Sequence, residues 1–193
     1  MKAFVFATGN KNKLNEINQL IGHQFAIKSL ADFGFIEDIP EPYYTIEENS
    51  AHKAQFFYDR YKIDCFAEDT GLIIPALNGE PGVFSARYAG EQKSAVDNMK
   101  KVLKNLKDKK DKSAYFKTVV SLIIDGNIKS FVGEVHGEIK KNSAGSNGFG
   151  YDPIFYYPQK KLTFAQLSAV EKNEISHRAI AIRKLATYLL TLL

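Results

Sequence analysis

Apolar and polar residues follow two different periods along the first half of this chain. Apolar residues recur every three or four positions where helices are predicted, and they form short runs where strands are predicted. This pattern predicts strands at 2–7 and 25–30 and helices at 11–21 and 46–61. Thr45, with Glu48 three residues later, is typical of a capping box at the start of the second helix. The first half therefore alternates strand and helix.

The remaining chain is richer in strands. The pattern predicts strands at 63–68, 71–77, 113–124, 127–139 and 153–157, and helices at 92–107 and 174–192. Asp69-Thr70-Gly71 is interpreted as a turn between the first two of these strands, and Asp125-Gly126-Asn127 as a hairpin turn. Together the elements predict one α/β or α+β domain over 1–193, in two lobes without a flexible joint, with long strands and helices on more than one side. The expected place for an active site is a cleft between the lobes.

Composition narrows the class of protein. The 193 residues are 45% hydrophobic and 25% charged, a balance typical of soluble globular domains. No apolar run approaches the roughly 20 residues of a membrane helix, and the segment 1–7 is too short for a signal peptide. The single cysteine, Cys65, excludes an intrachain disulfide and favours a reducing compartment, so we expect a cytoplasmic protein without a membrane partner.

Charge and histidine content argue against two other classes. The net charge of +4 comes largely from lysines at 100–112, which alternate with apolar residues at helical spacing. This favours the solvated face of a helix over a nucleic-acid patch, because no aromatic residue interleaves with these lysines. We therefore expect no stable nucleic-acid partner. The four histidines have no metal-ligand spacing, which argues against a structural zinc site.

A polar turn between the first predicted strand and helix is a candidate phosphate site. It consists of Thr8, Gly9, Asn10, Lys11, Asn12 and Lys13. Backbone N–H groups and the helix dipole favour anions at such a position. The turn lacks the glycine spacing of a Walker A or dinucleotide-binding loop. The alternative interpretation is a polar turn that only caps the helix.

Acidic residues occur in two segments that could serve a metal ion. Glu41 lies in a proline-bracketed loop before the helix that carries Lys53, and carboxylates in such a loop can hold Mg²⁺. Glu68 and Asp69 follow an apolar strand, where a carboxylate can bind Mg²⁺ or accept a proton from water. The alternatives are solvated glutamates at a helix start and a simple acidic turn.

Two further segments carry groups suited to a flat polar ring. Phe149 and Tyr151 can stack on a base, and the flanking Gly148 and Gly150 permit close backbone approach. Downstream, Lys172, His177 and Arg178 supply cationic groups and hydrogen-bond donors. The alternative is a glycine-rich turn followed by a buried strand and a helix start. Arg87, in the loop 78–90, is either a salt-bridge anchor or a ligand contact.

These segments together resemble the inosine triphosphate pyrophosphatase family, the non-canonical purine nucleotide pyrophosphatases. The matching segments are Thr8-Gly9-Asn10 with Lys13 and Glu16, Glu48-Asn49 with Lys53-Ala54, Glu68-Asp69-Thr70-Gly71-Leu72, 81–90, 148–155, and Lys172-Asn173 with Ile175-Ser176-His177-Arg178. They run in order over nearly the full chain. The resemblance implies Mg²⁺-dependent hydrolysis of dITP, ITP and XTP to the monophosphate and pyrophosphate, which removes non-canonical nucleotides from the nucleotide pool. It also implies a homodimer with an elongated two-lobed α/β fold, in which a long-stranded central mixed sheet is flanked by helices and the active-site cleft lies between the lobes.

The resemblance also implies roles for individual residues. Asp69 is expected to be metal ligand or general base, with Glu41 as a second metal ligand. The triphosphate is expected to contact Thr8, Gly9, Asn10, Lys11, Asn12, Lys13, Lys53 and Thr70. The base pocket is expected to comprise Phe149, Gly150, Tyr151, Asp152, Lys172, His177 and Arg178.

The chain departs from the family pattern at three places. Thr70 replaces a serine and keeps the hydroxyl, Pro75 replaces a common aspartate, and Pro42-Tyr43-Tyr44 replaces a Thr-Gly-Leu run after Glu41. Two other functions stay open from the residues. One is a pyrophosphatase for modified pyrimidine or other damaged nucleotides, and the other is a nucleotide- or nucleic-acid-binding module without catalysis.

Overall fold

The computed structural model of the protein describes residues 3–35 and 39–192. The strands are β1 (Ala3–Phe6), β2 (Ala26–Ser29), β3 (Cys65–Ile73), β4 (Pro81–Gly82), β5 (Ser113–Ile124), β6 (Asn127–Ile139), β7 (Phe155–Tyr157) and β8 (Leu162–Thr163). The helices are α1 (Lys11–Ile21), α2 (Ile46–Tyr61), α3 (Ala95–Leu106), α4 (Ala169–Ile175) and α5 (His177–Leu190). Short 3₁₀ turns occupy Leu30–Phe33, Pro75–Leu77, Ser85–Arg87 and Phe164–Gln166.

The strands form one mixed sheet, which confirms the predicted α/β class. Its order is β2-β1-β3-β5-β6-β7-β8, and β4 pairs with β3. β1 is parallel to β2 and to β3, whereas β4 is antiparallel to β3 and β7 is antiparallel to β6 and to β8. Within the described residues, no helix has the length and apolar character needed to cross a membrane. The predicted elongated shape and cleft stay predictions.

The chain divides into two compact units. Unit 1 comprises Met1–Asp69, Thr118–Gly133 and His177–Leu193, and unit 2 comprises Thr70–Lys117 and Glu134–Ser176. In unit 1, alternate strand residues face opposite sides of the sheet. Phe4, Phe6 and Phe66 pack with α1 and α5, while Val5, Cys65 and Ala67 pack with α2. Unit 2 has its own core, in which the rings of Phe116, Phe155 and Phe164 meet.

Several predicted elements are confirmed within a residue or two. Both early helices have the predicted bounds, and Thr45 caps α2 by accepting the N–H of Glu48 at 3.1 Å. The hairpin turn is also confirmed, because Asp125 and Gly126 have φ of 49° and 79° between β5 and β6. This is the conformation that Asp-Gly favours in two-residue hairpins. The first strand begins at Ala3, and the predicted start at Lys2 lies outside the described residues.

Three predictions of local structure were wrong. Asp69-Thr70-Gly71 is not a turn, because β3 continues through it and buries Gly71 within the strand. The predicted strand 71–77 ends at Ile73, and a 3₁₀ turn follows at Pro75–Leu77. The terminal helix is two helices: Ser168 caps α4, and the extended backbone of Ser176 separates α4 from α5.

Smaller differences concern where elements begin. The helix predicted at 92–107 begins at Ala95, because the Ser94 hydroxyl accepts the N–H of Asp97 at 3.3 Å and caps it. The strand predicted at 153–157 begins at Phe155. The later start of the helix follows from a capping contact that periodicity does not detect.

Candidate functional site

The turn from β1 to α1 is organised by Asn10. Its side-chain oxygen accepts the N–H groups of Asn12 at 3.0 Å and Lys13 at 3.2 Å, while the Thr8 hydroxyl accepts the N–H of Asn10 at 3.2 Å. Asn10 therefore serves as the N-cap of α1, as the capping interpretation expects. Gly9, Asn10, Lys11 and Asn12 are exposed, so the positive end of the helix dipole is open to solvent.

Glu68 is the centre of a buried ion-pair network in unit 1. Arg178 donates to it through Nε at 2.8 Å and Nη2 at 2.9 Å, which is a bidentate pairing. Lys13 Nζ lies 3.0 Å from Glu68 Oε1, and Arg178 Nη1 also donates to Glu16. Arg178 is only 2% exposed. The network therefore joins β3, α1 and α5 through two cations and two carboxylates.

The charge state of Glu68 follows from these partners. Burial alone would raise the pKa of this carboxyl, but the charges of Arg178 and Lys13 outweigh burial and hold the pKa well below its usual range. Glu68 is therefore ionised throughout the physiological pH range. An ionised, fully paired carboxylate of this kind positions its cations and has no proton to exchange.

Asp69 belongs to a second acidic group, built around Lys53. Lys53 Nζ donates to Glu41 Oε1 at 2.5 Å and to Asp69 Oδ1 at 3.1 Å. Asp69 and Lys53 are buried, and Glu41 is partly buried. Asp69 Oδ2 is buried and has no hydrogen-bond partner among residues 3–35 and 39–192. A buried carboxylate oxygen without a partner is costly unless a ligand completes its contacts.

The electrostatics of this group favour an additional cation. Burial raises the pKa of Asp69 above its usual value, although the Lys53 and Lys13 amines lower it, and nearby Glu41 raises it further. Burial would lower the pKa of Lys53, but the charges of Asp69 and Glu41 raise it. Two carboxylates thus share one ammonium. A further positive charge would relieve their repulsion and pair with Asp69 Oδ2.

Mg²⁺ fits this donor set. Protein sites for Mg²⁺ commonly use one or two carboxylates and take the remaining ligands from substrate phosphates and water. Asp69 and Glu41 supply two carboxylates, and Asp69 Oδ2 has the orphaned geometry that a ligand would satisfy. Within the described residues, no group of three or more His, Cys, Asp or Glu side chains forms a complete metal site. The remaining ligands would therefore have to come from water or from substrate phosphates.

Unit 2 contains the segment proposed to hold the base. Asp152 Oδ2 accepts the backbone N–H of Phe149 at 2.9 Å and pairs with Lys172 Nζ at 2.6 Å. Lys172 Nζ also lies 5.0 Å from the Phe149 ring centroid, within cation–π range. Asp152 and Lys172 are buried, whereas Phe149 is partly exposed. The buried ion pair between Asp152 and Lys172 therefore holds the loop in place, and the Phe149 ring stays accessible to solvent.

Gly148 makes this loop possible. Its φ is 73°, and a Cβ placed there would lie 2.1 Å from Asp152 Oδ2. Gly150 has a similar φ of 64° but nothing within 4 Å of a Cβ position. Both need the left-handed conformation that glycine adopts without strain. Only Gly148 is also required by the close approach of the Asp152 carboxylate.

Tyr151 lies differently from Phe149. Its side chain is 4% exposed, and its hydroxyl donates to the Ser85 carbonyl at 2.8 Å. Burial raises the pKa of the Tyr151 hydroxyl, so it stays protonated at physiological pH. The stacking role expected for both rings fits Phe149 better, and Tyr151 ties the loop to the turn that contains Ser85.

The predicted site residues thus fall into two groups, each within its own unit. Unit 1 holds the turn 8–13, Glu41, Lys53, Asp69, His177 and Arg178, and unit 2 holds Thr70, Phe149, Gly150, Tyr151, Asp152 and Lys172. His177 is the buried first residue of α5, and Thr70 is partly buried in β3. The structure also adds Glu68 and Glu16 as partners of Arg178. A clue was available in the sequence, since acids adjacent in a strand must face opposite sides.

Comparison with known proteins shows the family to which the chain belongs. The family model described as Ham1 family matches residues 4–188. The chain is 51% identical over 181 residues to the dITP/XTP pyrophosphatase of Flavobacterium johnsoniae, covering 94% of each protein. It is 50% identical over 184 residues to the dITP/XTP pyrophosphatase of Flavobacterium psychrophilum, covering 95% of this chain and 97% of that protein. The solved structure of the Staphylococcus aureus Ham1 protein superposes with a TM-score of 0.91 at 39% identity, covering 100% of both chains.

Proposed function

The chain belongs to the Ham1 family, and we propose that it hydrolyses dITP, ITP and XTP to the nucleoside monophosphate and pyrophosphate. It is thus a nucleoside triphosphate pyrophosphatase, as its relatives named dITP/XTP pyrophosphatase are. The observation that carries the proposal is Asp69, whose buried carboxylate has one oxygen on Lys53 and the other without a partner among the described residues. Such an oxygen is available to a metal ion or to water.

Asp69 is the proposed catalytic residue. In the proposed reaction Asp69 Oδ2 orients the attacking water or accepts its proton, as positioned carboxylates do in general base catalysis. Burial raises the pKa of Asp69, which brings its basicity closer to the operating pH. Lys53 holds the other carboxylate oxygen at 3.1 Å and fixes the direction in which Oδ2 points.

Mg²⁺ is the proposed cofactor, with Glu41 and Asp69 as its protein ligands. Bound there together with substrate phosphates, it would supply positive charge that stabilises the departing pyrophosphate. The support lies in the two carboxylates that share Lys53 and in the unpartnered Asp69 oxygen. Removing the metal should therefore abolish turnover.

The proposed triphosphate contacts are the turn 8–13, Lys53 and Thr70. Lys13 and Lys53 are each already held by a carboxylate, at 3.0 Å from Glu68 and 2.5 Å from Glu41. Cations fixed in this way can stabilise charge that develops in the transition state without first reorganising. The exposed start of α1 adds backbone donors and a favourable dipole.

The proposed base contacts are Phe149, Gly150, Tyr151, Asp152, Lys172, His177 and Arg178. Support comes from the partly exposed Phe149 ring, which can stack on a purine, and from Lys172 beneath it. Donors in such a pocket favour the 6-keto group of hypoxanthine and xanthine over the 6-amino group of adenine. Arg178 already donates to Glu68 and Glu16, so its replacement should weaken binding of the base and also disrupt the ion-pair network.

We further propose that the protein is a cytoplasmic homodimer. The location is supported by the buried thiol of Cys65, which suits a reducing compartment. The dimer is implied by the resemblance to the inosine triphosphate pyrophosphatase family. Size-exclusion chromatography with light scattering would measure the oligomeric state, and a monomer at micromolar concentration would contradict the dimer.

The products of dITP hydrolysis test the proposed reaction. The protein would be incubated with dITP and Mg²⁺, and the products separated by ion-exchange chromatography. We expect dIMP and pyrophosphate in equal amounts, with no turnover once EDTA removes the metal. Formation of dIDP and phosphate would contradict cleavage between the α- and β-phosphates, and full activity in EDTA would contradict the metal.

A further inference from the structure

Asn49 makes an unusual contact near the acidic group of unit 1. It lies in α2 with 0% of its surface exposed. Its Oδ1 accepts the N–H of Tyr43 at 3.0 Å, and its Nδ2 donates to the Tyr43 carbonyl at 3.0 Å. One buried side chain therefore satisfies both polar groups of a single residue's backbone, as a neighbouring strand would do.

This contact lies beside a proposed metal ligand in sequence and in space. Tyr43 is two residues after Glu41, and Asn49 is four residues before Lys53 on the same face of α2. Lys53 Nζ holds the Glu41 carboxylate at 2.5 Å. One helix face thus contacts the loop twice, through the Glu41 side chain and through the Tyr43 backbone. Pro42, between these two contacts, restricts the backbone further.

We propose that Asn49 is a positioning residue for metal binding, which fixes the Glu41 carboxylate opposite Asp69. The inference rests on the proposed function, because it concerns the Mg²⁺ ligand of that reaction. Lys53 contacts the end of the Glu41 side chain and leaves the backbone that carries it unconstrained. The two hydrogen bonds from Asn49 fix the loop backbone and so limit where the Glu41 side chain can reach.

An amide suits both hydrogen bonds, because its acceptor and its donors are on two separate atoms that reach the Tyr43 N–H and carbonyl together. A carboxylate has no donor for the Tyr43 carbonyl, a hydroxyl has its donor and acceptor on a single oxygen, and an aliphatic side chain leaves both backbone groups unpaired. Asn98 in unit 2 is a matched control. It too is a buried helical asparagine that holds a loop backbone, accepting the N–H of Ala89 at 2.6 Å and donating to the Ala86 carbonyl at 2.9 Å.

The test measures metal affinity directly. Mn²⁺ would be titrated into the protein without nucleotide and the free ion measured by electron paramagnetic resonance. We expect Asn49→Ala to raise the Mn²⁺ dissociation constant about tenfold, the lower end of the effect of losing a residue that supports a metal ligand. Asn98→Ala should lose stability without changing this constant. If Asn49→Ala does not fold, Asn49→Ser, which keeps one polar contact, replaces it.

A double-mutant cycle separates positioning from general stabilisation. If Asn49 acts through Glu41, then Asn49→Ala should add nothing to the loss of Mn²⁺ affinity in Glu41→Gln. In turnover of dITP, Asn49→Ala should raise the half-saturating Mg²⁺ concentration and retain kcat at saturating Mg²⁺.

Two results would overturn the proposal about Asn49. One is a folded Asn49 variant with wild-type Mn²⁺ affinity, and the other is additive losses of affinity in the cycle with Glu41→Gln. The proposed function would instead fail if the wild-type protein released no pyrophosphate from dITP. The two failures are distinguishable because the Mn²⁺ titration requires no turnover.

Discussion

Glu68 and Asp69 are adjacent in β3, yet their carboxylates lie on opposite faces of the sheet in unit 1. Glu68 meets Lys13 of α1 and Arg178 of α5, whereas Asp69 meets Lys53 of α2. Their pKa values are shifted in opposite directions, because two cations surround Glu68 whereas burial dominates at Asp69. Glu68 is therefore suited to stabilise the folded structure, and Asp69 is suited to the proposed catalytic role.

Replacing Asp69 should separate catalysis from stability. We expect Asp69→Asn to lower kcat for dITP by about 10³-fold, within the range for losing a general base. Because the folded pKa of Asp69 is raised, ionising it costs folding free energy, and this cost develops as the pH rises from the ordinary pKa of 3.8 through the folded pKa. The amide removes this cost but also removes one charged partner of Lys53, which keeps Glu41, so the melting temperature measured by calorimetry should stay close to that of the wild type.

Asp59→Asn is the matched control for Asp69→Asn. Asp59 lies in α2 with an exposed side chain, so its replacement should leave kcat and the melting temperature close to wild type. A folded Asp69→Asn protein with wild-type turnover would contradict the catalytic role. A large loss of stability in the same variant would contradict the sign of the pKa shift.

Replacing Glu68, unlike replacing Asp69, should mainly lower the stability of the fold. Glu68→Gln leaves the buried Arg178 guanidinium without its main carboxylate partner. Breaking one side of a buried ion pair typically costs about 3–5 kcal/mol, which urea denaturation would measure. An unfolding free energy within error of the wild type would contradict the structural role of Glu68.

The pH dependence of stability provides a second test of Glu68. Its folded pKa is depressed, so its contribution to stability is fully present above its ordinary pKa of 4.5 and is lost as the pH falls below that value. Urea denaturation from pH 7 to pH 3 should show the wild type losing part of its advantage over Glu68→Gln below pH 4.5. A constant difference across this range would contradict the depressed pKa.

Two glycines in one loop predict unequal effects of the same substitution. Gly150→Ala should cost about 1–2 kcal/mol, the strain of a left-handed residue with a Cβ. Gly148→Ala should cost more, because its Cβ would lie 2.1 Å from Asp152 Oδ2 and displace the partner of Lys172. Urea denaturation of both variants measures the difference. Equal losses would contradict the close approach of Asp152.

Tyr151→Phe tests whether the Tyr151 hydroxyl anchors the loop or contacts the substrate. Tyr151→Phe removes only the hydroxyl that donates to the Ser85 carbonyl, which Asn98 Nδ2 also contacts at 3.3 Å. We expect a loss of about 1 kcal/mol in unfolding free energy, typical of one hydrogen bond. KM for dITP should stay close to wild type. Tyr44→Phe, at an exposed tyrosine, is the stability control, and a large rise in KM without a stability loss would contradict the anchoring role.

The hydrophobic pattern was sufficient for elements whose ends carry local signals. The early helices and the long hairpin were predicted because Thr45, Asp125 and Gly126 act on neighbouring residues. Asp69-Thr70-Gly71 was misread because an acid, a polar residue and a glycine resemble a turn. In the structure the sheet buries Gly71 within β3, and tertiary packing overrides local preference.

The site was predictable as a set of residues but not as a set of contacts. Sequence separates Arg178 from Glu68 by 110 positions, so no local signal shows that the two form a bidentate pair. The sequence around Asn49 does not show its role, because that role depends on hydrogen bonds to the backbone of Tyr43. One clue is available from the sequence: successive residues of a strand face opposite sides of the sheet, so Glu68 and Asp69 in one strand must contact different side chains.

Base selectivity tests the central claim most directly. The measurement is kcat/KM for dITP, XTP, dATP and dGTP with Mg²⁺, and the rate is determined from the release of pyrophosphate. We expect dITP and XTP to exceed dATP and dGTP by about 10²-fold or more, a ratio that polar contacts in a binding site can supply. Equal turnover of all four nucleotides, or turnover of none, would contradict the proposed function.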